Sequence, residues 1–337
     1  MKVLVLSATA SAINVIYALK DEPGIELFVT DANRYAPGFY VDRVTPIVAP
    51  RARDRARYRG ALEEIISRHA IDVLIPTSDR DVEGVVGLLD QGWNPPVRMF
   101  RPSYAAQQIL SHKGRLMALL AEKLPQIVPR TLTPGEFARA HELGFPVVAK
   151  PTDEGGSKGV AIAETPADLD FHLRRLREQH GDGFVLQEFI PGEVGSTYIV
   201  LMLYDQDGDL RTAVSTQSHL TYLTWGGGGN AGAMVYAPDM IHWAARIVAT
   251  CGGWRGPINF EFRRHAGNGR CYLIEANCRL NGYSYLTTMN GFNYPQAILS
   301  LLCGQDLTLP SQRDTLGSRT FILGFREQLV AEWVNPS

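Results

Sequence analysis

FPVVAKPTDEGGSKGVAIA, residues 145–163, is the stretch on which the reading of this chain turns. Phe145 to Ala149 is a mostly apolar run that reads as a strand, and it ends on Lys150-Pro151. Glu154-Gly155-Gly156-Ser157-Lys158-Gly159 follows, and Val160 to Ala163 forms a second short strand. A glycine-rich segment between two strands is a hairpin tip, unlike the strand-to-helix setting of a P-loop, and G-x-x-x-x-G-K-[ST] is missing. Such a tip can fold over phosphates with its backbone N–H groups, and it also suits a plain flexible turn. A lysine at the end of an apolar strand is costly to bury unless an anion waits nearby, which gives Lys150 weight that Lys113 alone lacks.

Downstream, a helix over Pro166 to Gln179 leads to a strand at Phe184 to Leu186 and then to Gln187-Glu188-Phe189-Ile190-Pro191-Gly192-Glu193. Strands at Thr197 to Tyr204, Ala213 to Thr216, Ile258 to Phe262 and Tyr272 to Ile274 imply an antiparallel sheet with helices. The last two strands form a hairpin, and each sets a carboxylate, Glu261 or Glu275, among apolar residues. Two carboxylates close together in an apolar sheet are expensive unless a cation neutralises them, and magnesium with all-oxygen ligation is the natural candidate. Glu275 and Asn277 are two apart, so they leave one face of their strand, which Glu261 can reach from the paired strand. The competing reading makes them edge carboxylates paired with Arg263 and Arg279.

Upstream the pattern is simpler. Lys2 to Leu6 is a continuous apolar run, as in a strand buried on both faces of a parallel sheet. Ser11 is positioned to cap a helix to about Leu19, and Ile25 to Val29 is a second strand with Asp31 at its carboxyl end. A helix near Tyr58 to His69, a strand at Val73 to Ile75, a helix from Val82 and a short strand at Val97 to Phe100 continue the alternation. The fold class is therefore α/β, with a doubly wound parallel-sheet unit ending near residue 102. Its first turn, Ser7 to Ser11, has no G-x-G-x-x-G, which argues against a dinucleotide site. A helix holding Lys113, then Pro129-Arg130-Thr131 and a helix to Leu143, connect this unit to the glycine-rich hairpin.

Composition narrows the function classes. At 45% hydrophobic and 20% charged residues the chain is globular, not disordered. A net charge of -2 offers no broad field for nucleic acid or an anionic membrane, so neither is expected as a partner. The basic run Arg51 to Arg59 reads as a solvated helix face. Cys251, Cys271, Cys278 and Cys303 show no C-x-x-C spacing, and free thiols in a reducing cytoplasm are expected. The apolar core of MKVLVLSATASA is too short for a secretory leader and reads as the first strand. No apolar segment approaches the length of a membrane span.

In this order, the pieces resemble the ATP-grasp superfamily, which includes carbamoyl-phosphate synthase, biotin carboxylase and D-alanine–D-alanine ligase. The resemblance covers nearly the whole chain, beginning with Ile75-Pro76-Thr77-Ser78-Asp79, which looks like the family's first domain. It implies a pre-ATP-grasp domain over residues 1–102, a linker helix over 103–125, a lid subdomain over 126–190 and a C-terminal subdomain over 191–337. Lys113 and Lys150 match the phosphate-contacting lysines, and Gly155, Gly156 and Ser157 belong to the mobile loop. Gln187, Glu188, Phe189 and Ile190 match the adenine hinge, and Glu193 the ribose-binding acid. Glu261, Glu275 and Asn277 match the two-magnesium site, where manganese also serves. Arg279, Lys150 and Ser157 would be the catalytic contacts. Cys278 stands where the family often has proline, and it is read as a packed bystander.

The implied activity is attack of a carboxylate on the γ-phosphate of ATP, with an amine displacing phosphate from the acylphosphate. Bicarbonate as the activated acid, and a non-catalytic nucleotide-binding regulator, are the other readings. Relatives are often homodimers, which is the assembly expected by analogy. Small-molecule substrates would meet Arg279, with His219, Tyr222, Gly228 and Asn230 on a glycine-rich stretch, and Asn281, Tyr283 and Ser284 after the metal strand. That stretch, Ser215 to Met234 with Trp225, reads equally as an ordinary surface loop, and His219 as a structural histidine.

Overall fold

The computed structural model describes residues 1–9, 11–223, 226–305 and 320–322, and of residues 221–223, 226–230 and 320–322 only the backbone. Trp225 lies outside the described residues. Among the described residues, three sheets organise the fold.

The first is parallel: β1 (Lys2–Leu6), β2 (Glu26–Asp31), β3 (Val44–Val48) and β4 (Val73–Pro76), in the order β3-β2-β1-β4. Alternate residues of each strand feed two different cores, as period-two side chains must. Leu4, Leu6, Phe28 and Leu74 pack with helices α2 (Arg55–His69) and α3 (Asp79–Asp90), while Val3, Val5, Val29 and Ile75 pack on the other face with α1 (Ser11–Leu19). Burying each such side chain contributes roughly 1.5–3 kcal/mol.

Four sequence expectations change here. The β3 strand has no counterpart among them, because Pro46 breaks its apolar run; as an edge strand it needs no further donor there. The segment 97–100 is not a strand but a single parallel bridge, Val73 to Arg98. Helix α3 starts at Asp79 rather than Val82, because the Ser78 hydroxyl accepts the Asp81 N–H at 3.1 Å. Ser11 is the first residue of α1 instead of its cap, and its hydroxyl accepts from Arg279 at 3.3 Å.

Helices α4 (Tyr104–Leu110) and α5 (Lys113–Lys123) lead to the second sheet, which is antiparallel. It contains β5 (Thr131–Leu132), β6 (Val147–Pro151), β7 (Ala161–Ala163) and β8 (Phe184–Glu188), ordered β5-β8-β6-β7. A 3-10 helix (Pro134–Leu143) and α6 (Pro166–His180) cover it through Phe137, Leu143, Leu169 and Leu176.

The third sheet holds β9 (Thr197–Tyr204), β10 (Leu210–Leu223), β11 (Gly226–Met234), β12 (Gly256–Arg264), β13 (Cys271–Asn277) and β14 (Thr320–Ile322), ordered β13-β12-β9-β10-β11-β14. The Gly226–Gly229 run is thus strand, not loop: Gly229 pairs with Thr221 and Gly226 with Leu223, with the register slipping between them. Glycines there leave the apolar alternation unreadable, so the sequence shows a turn where the backbone makes a ladder.

Strand β9 ties the cores together. Ile199, Leu201 and Leu203 point to the first sheet's core, and Val200, Met202 and Tyr204 to a second core with α4, α5 and α7 (Pro238–Thr250). The first core is closed by α8 (Ser284–Met289) and α9 (Tyr294–Leu302), through Leu286, Ile298 and Leu302. Asn293 donates to the Ala18 carbonyl at 2.7 Å, fastening α9 to α1. The beginning of the chain and residues 280–302 therefore share one core.

Candidate functional site

Lys150 sits in β6, two residues beyond Val148, which pairs with Gln187 on β8. Its ammonium is buried and donates to Gln187 Oε1 at 2.7 Å and to the Ile274 carbonyl at 3.0 Å, both neutral acceptors. Burial, with help from the nearby Lys113 charge, lowers its pKa to about 8 against the pull of Glu275 and Glu261. Gln187 in turn donates to Thr131 Oγ1 at 2.8 Å, and Thr131 to the Pro129 carbonyl at 2.9 Å. The Gln187 side chain is thus engaged in holding the lysine.

On β12 and β13, Glu261 stands directly opposite Glu275, and Asn259 opposite Asn277. The ladder slips immediately after Glu261. Lys113, at the start of α5, reaches Glu275 at 2.9 Å and also donates to the Glu154 carbonyl. Among the described residues nothing donates a hydrogen bond to the Glu261 carboxylate. Burial and then the Glu275 charge push its pKa up to about 7, despite Arg279, Lys113 and Lys150. A carboxylate left this way asks for a cation, and two carboxylates with an amide oxygen are hard donors suited to magnesium. Among the described residues no group of three or more His, Cys, Asp or Glu gathers. Glu261 and Glu275, with the Asn277 amide oxygen on the same strand as Glu275, are the oxygen donors this hairpin offers.

Arg279 is held on several sides. It pairs with Asp79 at 2.9 Å and donates to Asn277 Oδ1 at 3.2 Å and to the Leu280 carbonyl at 3.1 Å. The edge-pairing alternative fails: Glu275 takes Lys113, Arg279 takes Asp79, and Arg263 donates to the Gly192 carbonyl at 2.7 Å with its guanidinium 5.6 Å from the Phe189 ring.

The glycine-rich hairpin tip bends through Gly156, Ser157 and Gly159, with φ of 65°, 60° and 71°. At Gly159 a Cβ would lie 2.8 Å from Pro151 Cγ, so a side chain there would meet the strand it folds back on. Glu154 is anchored by Arg80 at 3.4 Å.

Lys113, Lys150, Glu154, Ser157, Gln187, Glu261 and Glu275 line one cleft holding about 780 Å³ of open space, whereas Gly155, Gly156, Asn277 and Arg279 are not in its wall. Lys113, Lys150, Glu261 and Glu275 give its wall charge, and Val148, Val160, Ile162, Ile190 and Ile274 give it apolar surface. Ser157, Glu188 and Phe189 are in the wall, with Thr197, which the sequence did not single out, and Arg263, which it offered only as a partner for an edge carboxylate. Glu188 is turned to Arg130, at 2.9 Å. Glu193 is exposed on the turn before β9 and is not among the cleft residues.

The sequence-proposed substrate residues do not gather here. His219 is exposed on β10, and Tyr222, Gly228 and Asn230 lie on β10 and β11 with their side chains outside what is described. Asn281 and Tyr283 are buried: the Asn281 amide oxygen accepts the Tyr283 N–H at 3.0 Å, and Ser284 donates to the Asn281 carbonyl, so they shape a turn. Cys278 is packed, with its thiol pushed well up by burial, as expected of a bystander. Two contributors were missed as individuals. Asp79 was read only as part of its segment, and Thr131 gave no signal, since a lone threonine beside a proline suits many turns.

Known proteins share this architecture. N5-carboxyaminoimidazole synthetase from Staphylococcus aureus, complexed with ADP, superposes with a TM-score of 0.70 at 15% identity, over 92% of this chain and 79% of that one. Biotin carboxylase from Campylobacter jejuni gives 0.69 at 18% identity, over 93% and 72%. The fold is the ATP-grasp fold. No protein-family model matches this chain. By sequence it is 31% identical to phosphoribosylamine–glycine ligase of Synechocystis sp. over 111 residues, 32% of this chain and 26% of that one. It is 26% identical to formate-dependent phosphoribosylglycinamide formyltransferase of Anaeromyxobacter dehalogenans over 175 residues, 50% of this chain and 43% of that one. The chain thus spans less than half the length of these curated relatives.

Proposed function

We propose that this chain is an ATP-dependent ligase that activates a small-molecule carboxylate as an acylphosphate and joins it to an amine, releasing ADP and phosphate. One observation carries the reading: Lys113, Lys150, Glu261 and Glu275 line the same cleft as the apolar side chains of Val148, Val160, Ile162, Ile190 and Ile274. An adenine nucleotide matches both, with a flat apolar base and a polyanionic tail. The relatives named above include enzymes that join carboxyl or formyl groups to amines, which supports the same class.

Magnesium bound by Glu261, Glu275 and Asn277 would supply charge neutralisation on the phosphates. The residues of the chain do the rest. Lys150, pre-aimed by Gln187, and Lys113 meet phosphate oxygens; Lys113 would then leave Glu275 to the metal. The apolar side chains of the wall seat the base, with the backbone at Glu188 to Ile190 beside it. Arg279, fixed by Asp79, faces the reacting carboxylate. The Glu154–Gly159 segment lies where it would cover these groups and keep water from the acylphosphate. Alignment and charge neutralisation are the chain's whole contribution to the chemistry.

The test is phosphate release with magnesium-ATP across a panel of amino acids and other small acids and amines, with and without bicarbonate. Release that needs both an acid and an amine supports the ligase. Release driven by bicarbonate alone moves the activated acid to carbonate. Nucleotide binding with no turnover under any condition rejects the enzyme.

A further inference from the structure

A second and larger cleft, with about 1720 Å³ of open space, lies at the carboxyl ends of the parallel strands. Ser7 follows β1, Asp31 ends β2, Ala49 follows β3 and Ser78 follows β4, and all four are in its wall. The crevice outside the carboxyl ends of such a sheet is where ligands of doubly wound folds sit.

The charges in this wall are not balanced locally. Its carboxylates are already engaged. Glu83 pairs with Arg55 at 3.7 Å and Arg80 at 3.6 Å, and Glu154 with Arg80. Asp31 accepts the backbone N–H groups of Ala8 at 3.0 Å and Asn33 at 2.8 Å. Asp81 accepts the Tyr58 hydroxyl at 2.6 Å and the Ser78 hydroxyl. Arg51, Arg53 and Lys158 have no ion pair among the described residues. The basic run therefore divides: Arg57 and Arg59 pair outward with Asp54 and Glu63 as a solvated face does, while Arg51, Arg53 and Arg55 line the cleft.

We propose that this cleft receives the second substrate of the ligase, a small amine carrying an anionic group, phosphate or carboxylate, held by Arg51, Arg53 and Lys158. The proposal rests on the ligase reading and adds the substrate's charge to it. Its geometry is that of a shared wall. Glu154 lines both clefts, Ser157 faces the nucleotide cleft and Lys158 the second one. A Cβ on Gly155 would stand 3.4 Å from Asp79 Oδ2 and 3.9 Å from Arg279 Nη2, so the glycine segment crosses between the clefts beside Arg279. A molecule anchored by its anion on Arg51 and Arg53 has its amine end directed to that crossing. One loop then closes on both substrates, and Lys158 reports the second while Ser157 reports the first.

Isothermal titration of the full chain tests this with two probes, O-phosphoethanolamine for the phosphate and L-aspartate for the carboxylate. Each is titrated with and without saturating magnesium and the non-hydrolysable analogue AMP-PNP. At least one probe binds the wild type, and Arg51→Ala/Arg53→Ala weakens it by about tenfold or more, the expected cost of losing charged hydrogen bonds. AMP-PNP affinity stays unchanged in that variant, which also shows that it folds. Which probe binds decides between phosphate and carboxylate. Equal binding by the variant, or no binding of either probe, overturns the assignment. Failure of AMP-PNP to bind while a probe still discriminates the variant overturns the ligase reading and leaves the anion site standing.

Discussion

The two clefts of this molecule meet at Glu154 yet are charged in opposite ways. In the cleft proposed for the nucleotide, charges are buried or half-buried and cost stability: Lys150 has only neutral acceptors, and Glu261 has no donor among the described residues. In the cleft over the parallel sheet, Arg51 and Arg53 are exposed on a connection and cost almost nothing to keep. A buried charge is kept only if a ligand compensates it, so the first cleft is built for chemistry that must exclude water. The second is built for recognition, where solvent can stand in until a substrate arrives.

The hardest test of that contrast is Glu275→Gln. Replacing one of the paired carboxylates should lower ADP release by on the order of a thousandfold, since it takes the negative charge from a proposed metal donor. Circular dichroism should report an intact fold. Undiminished ATP consumption with substrate present would sink the ligase and the contrast together. Arg51→Ala/Arg53→Ala, by comparison, should leave thermal stability within about 0.5 kcal/mol of wild type, as for exposed substitutions.

Lys150→Met separates burial cost from catalytic role. With a folded pKa of about 8 against 10.5 unfolded, the buried ammonium penalises the native state below pH 8, and the penalty lifts as pH rises from 8 to 10.5. Over that window the unfolded chain holds the proton and the native one does not, so wild-type stability gains about 3 kcal/mol relative to the variant. Urea melts at pH 7 and pH 10.5 would show it. Parallel stabilities for the two proteins would mean that Lys150 is hydrated.

Which parts were legible follows from the same physics. Charged residues interrupting apolar strands, at Lys150, Glu261 and Glu275, are conspicuous because burial makes them improbable without a purpose. The parallel strands were legible from their unbroken apolar runs, except β3, where Pro46 hides the run. Arg51 and Arg53 were read as solvated because exposure is what arginine does by default; only the folding of the β3–α2 connection over the sheet's carboxyl ends gives them a shared wall. The glycines of β11 carry no side-chain pattern, so pairing with β10 could not be anticipated.

Asp79→Asn probes the seam between the clefts. Asp79 holds Arg279 at 2.9 Å across 200 residues of sequence, and neutralising it should leave Arg279 less firmly aimed. A fall in kcat of about tenfold to a hundredfold, with the KM for ATP nearly unchanged, is the expected result for a residue that positions an alignment group. A change confined to the KM for ATP would place Asp79 on the nucleotide side instead.

The smallest expected effect lies behind the wall of the first cleft, at Thr131 on β5. Thr131→Val keeps the shape of β5 but removes the acceptor of the Gln187 amide, at 2.8 Å, and the donor to the Pro129 carbonyl. An amide left with one unmet donor costs about 1–3 kcal/mol, and part of that is recovered if Gln187 rotates. Rotation would release Lys150, whose bond to Gln187 Oε1 fixes its direction. The variant should therefore lose about 1 kcal/mol of stability and raise the KM for ATP several-fold with little change in kcat. Gln187→Glu should reverse the nucleotide effect, because a carboxylate keeps Lys150 in place without Thr131. If Thr131→Val loses stability but binds ATP as the wild type does, the chain from Thr131 through Gln187 to Lys150 is scaffolding, and Lys150 is aimed by the Ile274 carbonyl alone.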